Sequence, residues 1–320
     1  MLVGRGNPSS TSRLSAIKAD VLDAFEGGVI AIEVCTCLEE LDAVDVFIMA
    51  AGATINRHVK KRSELAGRNI ALFHDVALRL SRRCPRTFVL VISNPIELAV
   101  SVFARYFDRR RVLGMGAQQD SLRFARAIAA HLTLPRASVR ASVLGEHGEG
   151  MVPLWSSVVV VDAQQDVFAR LEALSRQYAT DGSWASDNLI HSHLERMIDT
   201  AQAEKAYLLL QTVPPDVRIL LEPLVTARIL CSTPNATANA TLDCVAALRH
   251  ADDRMVHGQV LLKGEFYGMH GVLGVPLGLR HFESHVASHE PLTRDEVSRL
   301  ALANEKINDL YASTLAIAVD

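Results

Sequence analysis

Apolar residues along this chain fall into two rhythms, short unbroken runs and stretches at helical spacing. Their alternation sets the expected fold. The first half holds three β-rich runs: Val29–Val34, Val44–Met49 with one charge near its start, and Thr87–Ile92. The third is almost wholly apolar, as suits a strand covered on both faces. Between the second and third, Leu65, Ile70, Leu72, Val76, Leu78 and Leu80 recur at helical spacing within Glu64–Arg82. Strand, helix, strand in this order makes a right-handed crossover and predicts a parallel sheet. A further helix is predicted from Ile96 to about Phe107.

The second half reads differently. Ser121–Leu132 is a predicted helix, and Val139–Leu144 a strand running into His147. Val158–Val161 is a strand. Helices are expected over Gln165–Tyr178, Asn188–Gln211 and Ala236–His250, with Pro214-Pro215 as a break. Val260–Leu262, Gly274–Leu277 and the segment around Phe282 look antiparallel. Thr293-Arg-Asp-Glu296 is a capping box that opens a C-terminal helix. Internal repeats and low-complexity segments are absent from the sequence.

Composition narrows the function classes. The 320 residues are 49% apolar and 22% charged, with a formal net charge of -3, enough for a large core in two domains. There is no basic run to form a nucleic-acid groove or a membrane-surface patch. No stretch reaches the roughly 18 apolar residues of a membrane span. The opening MLVGRGNPSSTSR lacks a secretory h-region, so a cytoplasmic location is expected. The cysteines, Cys35, Cys37, Cys84, Cys231 and Cys244, are odd in number and scattered, which suits reduced thiols. Cys35 and Cys37 have no second ligand pair at zinc spacing, so no metal site is expected. The even spacing of His281, His285 and His289 fits one face of a strand better than a metal site. Trp155-Ser156-Ser157 reads as core packing, since no base is placed for Ser156. Two sequons, at Asn235 and Asn239, carry little weight without a signal peptide.

The chemistry-bearing residues are more specific. Asn94-Pro95, Asp120-Ser-Leu-Arg123 and Gly145-Glu-His147-Gly148 follow one another in the chain. Histidine titrates near working pH and suits proton transfer to and from a hydroxyl. A carboxylate fixes its tautomer and orientation. An arginine holds a carboxylate through two parallel hydrogen bonds, and a second cation stabilises charge on a carbonyl oxygen. Asp120 and Arg123, three apart on a helix, share one face. One can hold His147 while the other meets a substrate.

In order and local context these motifs resemble the lactate/malate dehydrogenase family. Gly145-Glu-His-Gly followed by Met151-Val-Pro-Leu is the most specific match. The resemblance covers roughly residues 14 to 155 and 236 to 312, whereas 165 to 232 match poorly and look longer than the family's connection. It implies a Rossmann-like doubly wound parallel sheet, α/β, over residues 1–114, and an α+β catalytic domain over 115–320. The implied activity is hydride transfer between NAD or NADP and a small 2-hydroxy acid, in a homodimer or homotetramer. By the same resemblance His147 is the acid/base group, Asp120 its support and Arg123 the substrate anchor. Arg62 matches the mobile-loop arginine, with Asn69 on the helix behind it. Ala51-Gly52-Ala53 matches the turn beside the cofactor. Ser93 and Asn94 match the strand end that meets substrate and nicotinamide.

The sequence also departs from that pattern. The family opens with a strand and G-x-G-x-x-G, whose glycines let backbone approach the pyrophosphate. Gly4-Arg5-Gly6-Asn7-Pro8-Ser9 is the only candidate, and its spacing from Ala51-Gly52 is too short. A better register puts Leu2-Val3-Gly4 at the end of the family's second strand, with Lys18–Phe25 in the following helix. The first strand and glycine loop are then absent, and a late start or an N-terminally incomplete product is expected, with poor dinucleotide binding. Gly4 and Arg5 fall where an acid selects NAD, so NADP is as plausible a cofactor as NAD. Arg57 stands near the position of an arginine that reads a distal carboxylate in malate enzymes, whereas Trp155-Ser156 after Val-Pro-Leu looks more like the lactate branch, so malate is only slightly favoured over lactate. The alternative is a non-catalytic member that serves as a binding or oligomerisation module.

Overall fold

The computed structural model describes residues 1–4, 6–24, 31–54, 63–162, 164–179, 194, 196–198, 202–230, 232–249, 254–287 and 291–317. Arg5, Arg57, Arg62, Cys231, His289 and ten residues of the expected 188–211 helix (188–193, 195 and 199–201) lie outside them. An eight-stranded sheet runs in the order β3-β4-β5-β8-β9-β6-β7, with β10 on β9. Its parallel part is β3 (Val46–Met49), β4 (Phe88–Val91) and β5 (Val112–Gly114). Its antiparallel part is β6 (Val139–Gly145), β7 (Met151–Val160), β8 (Met255–Lys263), β9 (His270–Arg280) and β10 (Glu283–Val286). The crossover helix α2 (Ser63–Arg83) and α3 (Ile96–Phe103) belong to the parallel part. α4 (Gly116–Leu132) leads into the antiparallel one. Beyond β7 come α5 (Gln165–Ala179), α6 (Ala203–Thr212), α7 (Pro215–Leu230), α8 (Pro234–Arg249) and, after β10, α9 (Arg294–Ile317).

The N-terminal elements stand apart. β1 (Leu2–Val3), α1 (Pro8–Asp23) and β2 (Val34–Cys35) form a two-stranded parallel sheet that joins neither β3 nor any other described strand. The expected strand Val29–Val34 is confined to Val34 and Cys35 among the described residues, because its partner offers only two residues of ladder. β3 is bonded on one side, by β4, and its Ile48 is 43% exposed, whereas β4 is wholly buried.

Packing explains the joins. Phe73, Leu80, Phe88, Leu90, Phe103 and Leu113 are fully buried around the parallel strands. A second cluster centres on Phe124 and Trp155, whose rings meet edge to face at 5.1 Å. The parallel and antiparallel parts join where Gly114 pairs with Gln259. A Cβ on Gly258 would lie 2.3 Å from Leu113 Cδ1 and 2.7 Å from Gly114 O, so only glycine allows that approach. Cys244 is wholly buried, and desolvation pushes its thiol up to about 12, which keeps it neutral.

Several boundaries differ from the sequence pattern. α3 ends at Phe103 and α4 starts at Gly116, ahead of Ser121. β9 and β10 are joined by His281 and Phe282, both at positive φ (52° and 57°), the two-residue turn that follows strand twist. His281 is therefore in a turn and His285 in a strand, so the expected shared strand face is not formed. The α6/α7 break falls at Pro214-Pro215 as expected. The capping box also forms: Glu296 N donates to Thr293 Oγ1 at 3.2 Å and Thr293 N to Glu296 Oε2 at 2.8 Å. Glu296 further accepts from Ser156 N and Oγ, so Ser156 does have a carboxylate beside it, in a structural role.

Two outcomes follow. Glu296→Ala removes four hydrogen bonds at a buried site and is expected to cost about 3 kcal/mol, against about 1 kcal/mol for Thr293→Ala. Urea midpoints at constant slope measure both. Asp216 is buried, and desolvation raises its carboxyl pKa, partly offset by the hydrogen bond from Trp155 Nε1 at 3.3 Å. A raised folded pKa means its contribution to stability is full below the unfolded value of about 4 and is lost as pH climbs through the folded one. Asp216→Asn is therefore expected to raise stability at pH 7 and to lose that advantage below about pH 4. A gain independent of pH would assign the effect to packing.

Candidate active site

The cleft where the parallel strands end contains most of the residues singled out by their motifs. It encloses about 590 Å³ and is lined by Gly52, Ser93, Asn94, Gln119, Arg123 and His147, with Thr233 and Thr237 from the start of α8. β6 delivers His147 through Gly145, which sits at φ 89°. α4 delivers Asp120 and Arg123 one turn apart on the same face. The helix begins with Gly116, where a Cβ would be 2.4 Å from His147 Cγ. The imidazole packs directly on the backbone of the first turn, which no other residue at 116 permits.

His147 Nδ1 donates to Asp120 Oδ2 at 2.7 Å, and both side chains are at most 4% exposed. That bond fixes the tautomer and the orientation of the ring. The other oxygen of Asp120 accepts from Arg123 Nη1 at 2.9 Å, and Arg123 Nη2 donates to Thr233 Oγ1 at 3.1 Å. One carboxylate thus orients both the proton carrier and the guanidinium. The backbone N–H of His147 donates to Glu97 Oε1 at 2.7 Å, which ties its loop to α3.

The residues expected on the cofactor side are placed in two groups. Gly52, Ser93 and Asn94 line the cleft. Ser93 Oγ donates to Met49 O and Ala51 O, so it fixes the ends of β3 and β4. Asn69 spends its whole amide as a bridge: Oδ1 accepts from Ala53 N at 2.7 Å, and Nδ2 donates to Ala53 O and Asn94 O. It positions the two loops. Asn94 Oδ1 is buried without a hydrogen-bond partner, so it has capacity for a ligand. Gly4 lies away from the cleft lining, packed on α1, where a Cβ would be 2.5 Å from Leu14 Cδ1.

The motifs did not flag Glu97, Gln119, Thr233 or Thr237. Glu97 carried a signal, as the lone charge in an otherwise apolar helix. Gln119 and the two threonines are brought together only by tertiary packing of α4 against α8.

The structure combines an α/β fold of Rossmann type with a buried His147–Asp120–Arg123 cluster at the ends of the parallel strands. The comparisons place it further. Residues 19–114 match the lactate/malate dehydrogenase NAD binding domain. The L-lactate dehydrogenase of Thermus aquaticus is 32% identical over 163 residues, 50% of this chain and 52% of that protein. The L-lactate dehydrogenase A chain of Harpagifer antarcticus is 32% identical over 151 residues, 47% of this chain and 44% of that one. Malate dehydrogenase from Aeropyrum pernix has the same fold, at a TM-score of 0.76 and 19% identity over 98% of this chain and 89% of that one. Lactate dehydrogenase from Cryptosporidium parvum, solved with lactic acid and β-nicotinamide adenine dinucleotide, aligns at 0.75 and 22% over the same shares. Over residues 19–114, and over about half of its length, the chain is similar to lactate/malate dehydrogenases. It spans about half the length of the curated relatives it matches.

Gly116→Ala tests the contact between helix start and imidazole. The substitution is expected to displace the ring and lengthen the bond to Asp120 while the fold persists. Loss of the downfield Nδ1 proton resonance checks it; an unchanged resonance would show that α4 can yield instead.

Proposed function

We propose that this protein is an oxidoreductase that moves a hydride between NAD(P) and a small 2-hydroxy acid. The observation that carries the reading is the 2.7 Å bond between His147 and Asp120, shared with Arg123, in a cleft next to Gly52 and Asn94. On this reading the Arg123 guanidinium takes the substrate carboxylate, and His147 Nε2 takes the hydroxyl proton during oxidation and returns it during reduction. Asp120 holds the ring and balances its charge while protonated. A bound nicotinamide supplies the hydride acceptor. Arg62 is proposed to polarise the carbonyl, and Arg57 to read a distal carboxylate, which puts malate/oxaloacetate slightly ahead of lactate/pyruvate. Residues 1–114 are proposed as the cofactor-side domain and 115–320 as the substrate-side domain of a homodimer or homotetramer.

The nicotinamide end of the cleft fits the cofactor, through the unpartnered Asn94 Oδ1 and the close backbone at Gly52. The diphosphate end fits less well. α1 starts with Pro8, which has no N–H, and the third N–H of its first turn, Ser10 N, donates at 2.8 Å to Oδ1 of the cap residue Asn7. A helix start closed in this way offers an anion little. The second reading is a family member without dinucleotide affinity that acts as a binding module.

Kinetics and titration separate the two. Arg123→Lys keeps the charge but loses the fork and is expected to raise KM sharply. His147→Gln is expected to lower turnover by about 10²-fold or more with little change in substrate affinity. Asn7→Ala is expected to cost about 1 kcal/mol of stability and leave NADH affinity unchanged. Absence of NADH binding and of Arg123-dependent substrate binding would establish the second reading instead.

A further inference from the structure

Part of the cleft lining is polar in a way that proton transfer and carboxylate binding do not require. Gln119 precedes the Asp120 that holds the histidine, lies 3% exposed, and faces the cleft. Its Nε2 donates to Thr233 Oγ1 at 3.1 Å and to Thr237 Oγ1 at 3.3 Å. Its Oε1 accepts no hydrogen bond from a described residue. Thr233 is further fixed by Arg123 Nη2. Thr237 and Thr241 follow on α8, one turn apart, and both line the cleft.

We infer that Gln119 and Thr237 determine specificity by reading a hydrogen-bonding group, a neutral hydroxyl included, on carbon 3 of the substrate. This rests on the proposed 2-hydroxy-acid chemistry and narrows its substrate class to acids with a polar side chain. The geometry supports it in two ways. Arg123 is bonded to both Asp120 and Thr233, so a carboxylate held on its fork sets carbon 2 near His147 and the side chain near Gln119. Second, an amide with one end engaged and the other open, beside two hydroxyls, can both donate and accept. A methyl or ethyl group there would bury the open amide oxygen without a partner, and that cost falls on apolar substrates only. Exchange of the amide's oxygen and nitrogen leaves the argument intact, since threonine hydroxyls play either role.

The test uses hydroxypyruvate and 2-oxobutyrate, which have the same number of heavy atoms and differ by a hydroxyl in place of a methyl. Their dissociation constants are measured by calorimetry with the full 320-residue chain and NADH present, together with kcat/KM. Hydroxypyruvate is expected to be preferred by roughly tenfold or more. Gln119→Leu, close in volume, should reduce that preference to near unity, and Thr237→Val should reduce it partially, with Arg123-dependent binding of both acids retained. Equal binding of the two acids by the wild-type protein, or a preference that survives Gln119→Leu, overturns the inference and leaves the proposed chemistry standing. Failure of both acids to bind, with no effect of Arg123→Lys, overturns the proposed chemistry and this inference with it.

Discussion

The Asp120 carboxylate is the constraint on which the site depends. It is 1% exposed, and a buried charge is tolerated only when it is paired and hydrogen-bonded. Each oxygen has its own partner, His147 Nδ1 on one and Arg123 Nη1 on the other. Removing either would leave charge in a dry environment, a loss on the order of 3–5 kcal/mol. The arrangement therefore ties catalytic geometry to stability. It also dictates local backbone: α4 must begin at a glycine for the imidazole to reach Asp120, and β6 must end in a glycine of positive φ to turn the histidine inward.

The same pair ties distant segments together. Asp120 and Arg123 come from α4, His147 from the loop after β6, Glu97 from α3 and Thr233 from the start of α8. These segments converge around the join at Gly114 and Gly258, where the parallel and antiparallel parts of the sheet come closest. A larger residue at that join would push β5 from β8 and with it the start of α4. Small residues far from the chemistry thus set its dimensions, as close-packed interiors require.

Much of this was readable in the residues. The apolar run Thr87–Ile92 and the helical spacing of Glu64–Arg82 gave a crossover within a residue or two at each end, because burial on one or both faces dictates those patterns. His147, Asp120 and Arg123 were legible through motif spacing. What stayed hidden depended on contacts remote in sequence. Asn69, expected on the cofactor side, also braces two loops, since only the folded chain puts Ala53 and Asn94 within its reach. The 29–34 run promised a longer strand than the two-residue β1 can pair. His281 looked like a strand residue because spacing does not reveal a turn made by two residues of positive φ without glycine or asparagine.

The two ends of the cleft obey different requirements, and this explains how one is complete while the other is spare. The end around His147 is built from side chains whose hydrogen bonds run between α3, α4, the loop after β6 and the start of α8. The opposite end depends on backbone N–H groups left open at a helix start, and on the continuity of a sheet. Here α1 closes its own start through Asn7, and β1–β2 and β3 belong to separate sheets, with Ile48 exposed on β3. The hydrogen bonds that hold His147, Asp120 and Arg123 run to none of the N-terminal elements, so the geometry of that cluster is set by the buried charge of Asp120 and not by β1, α1 or β2.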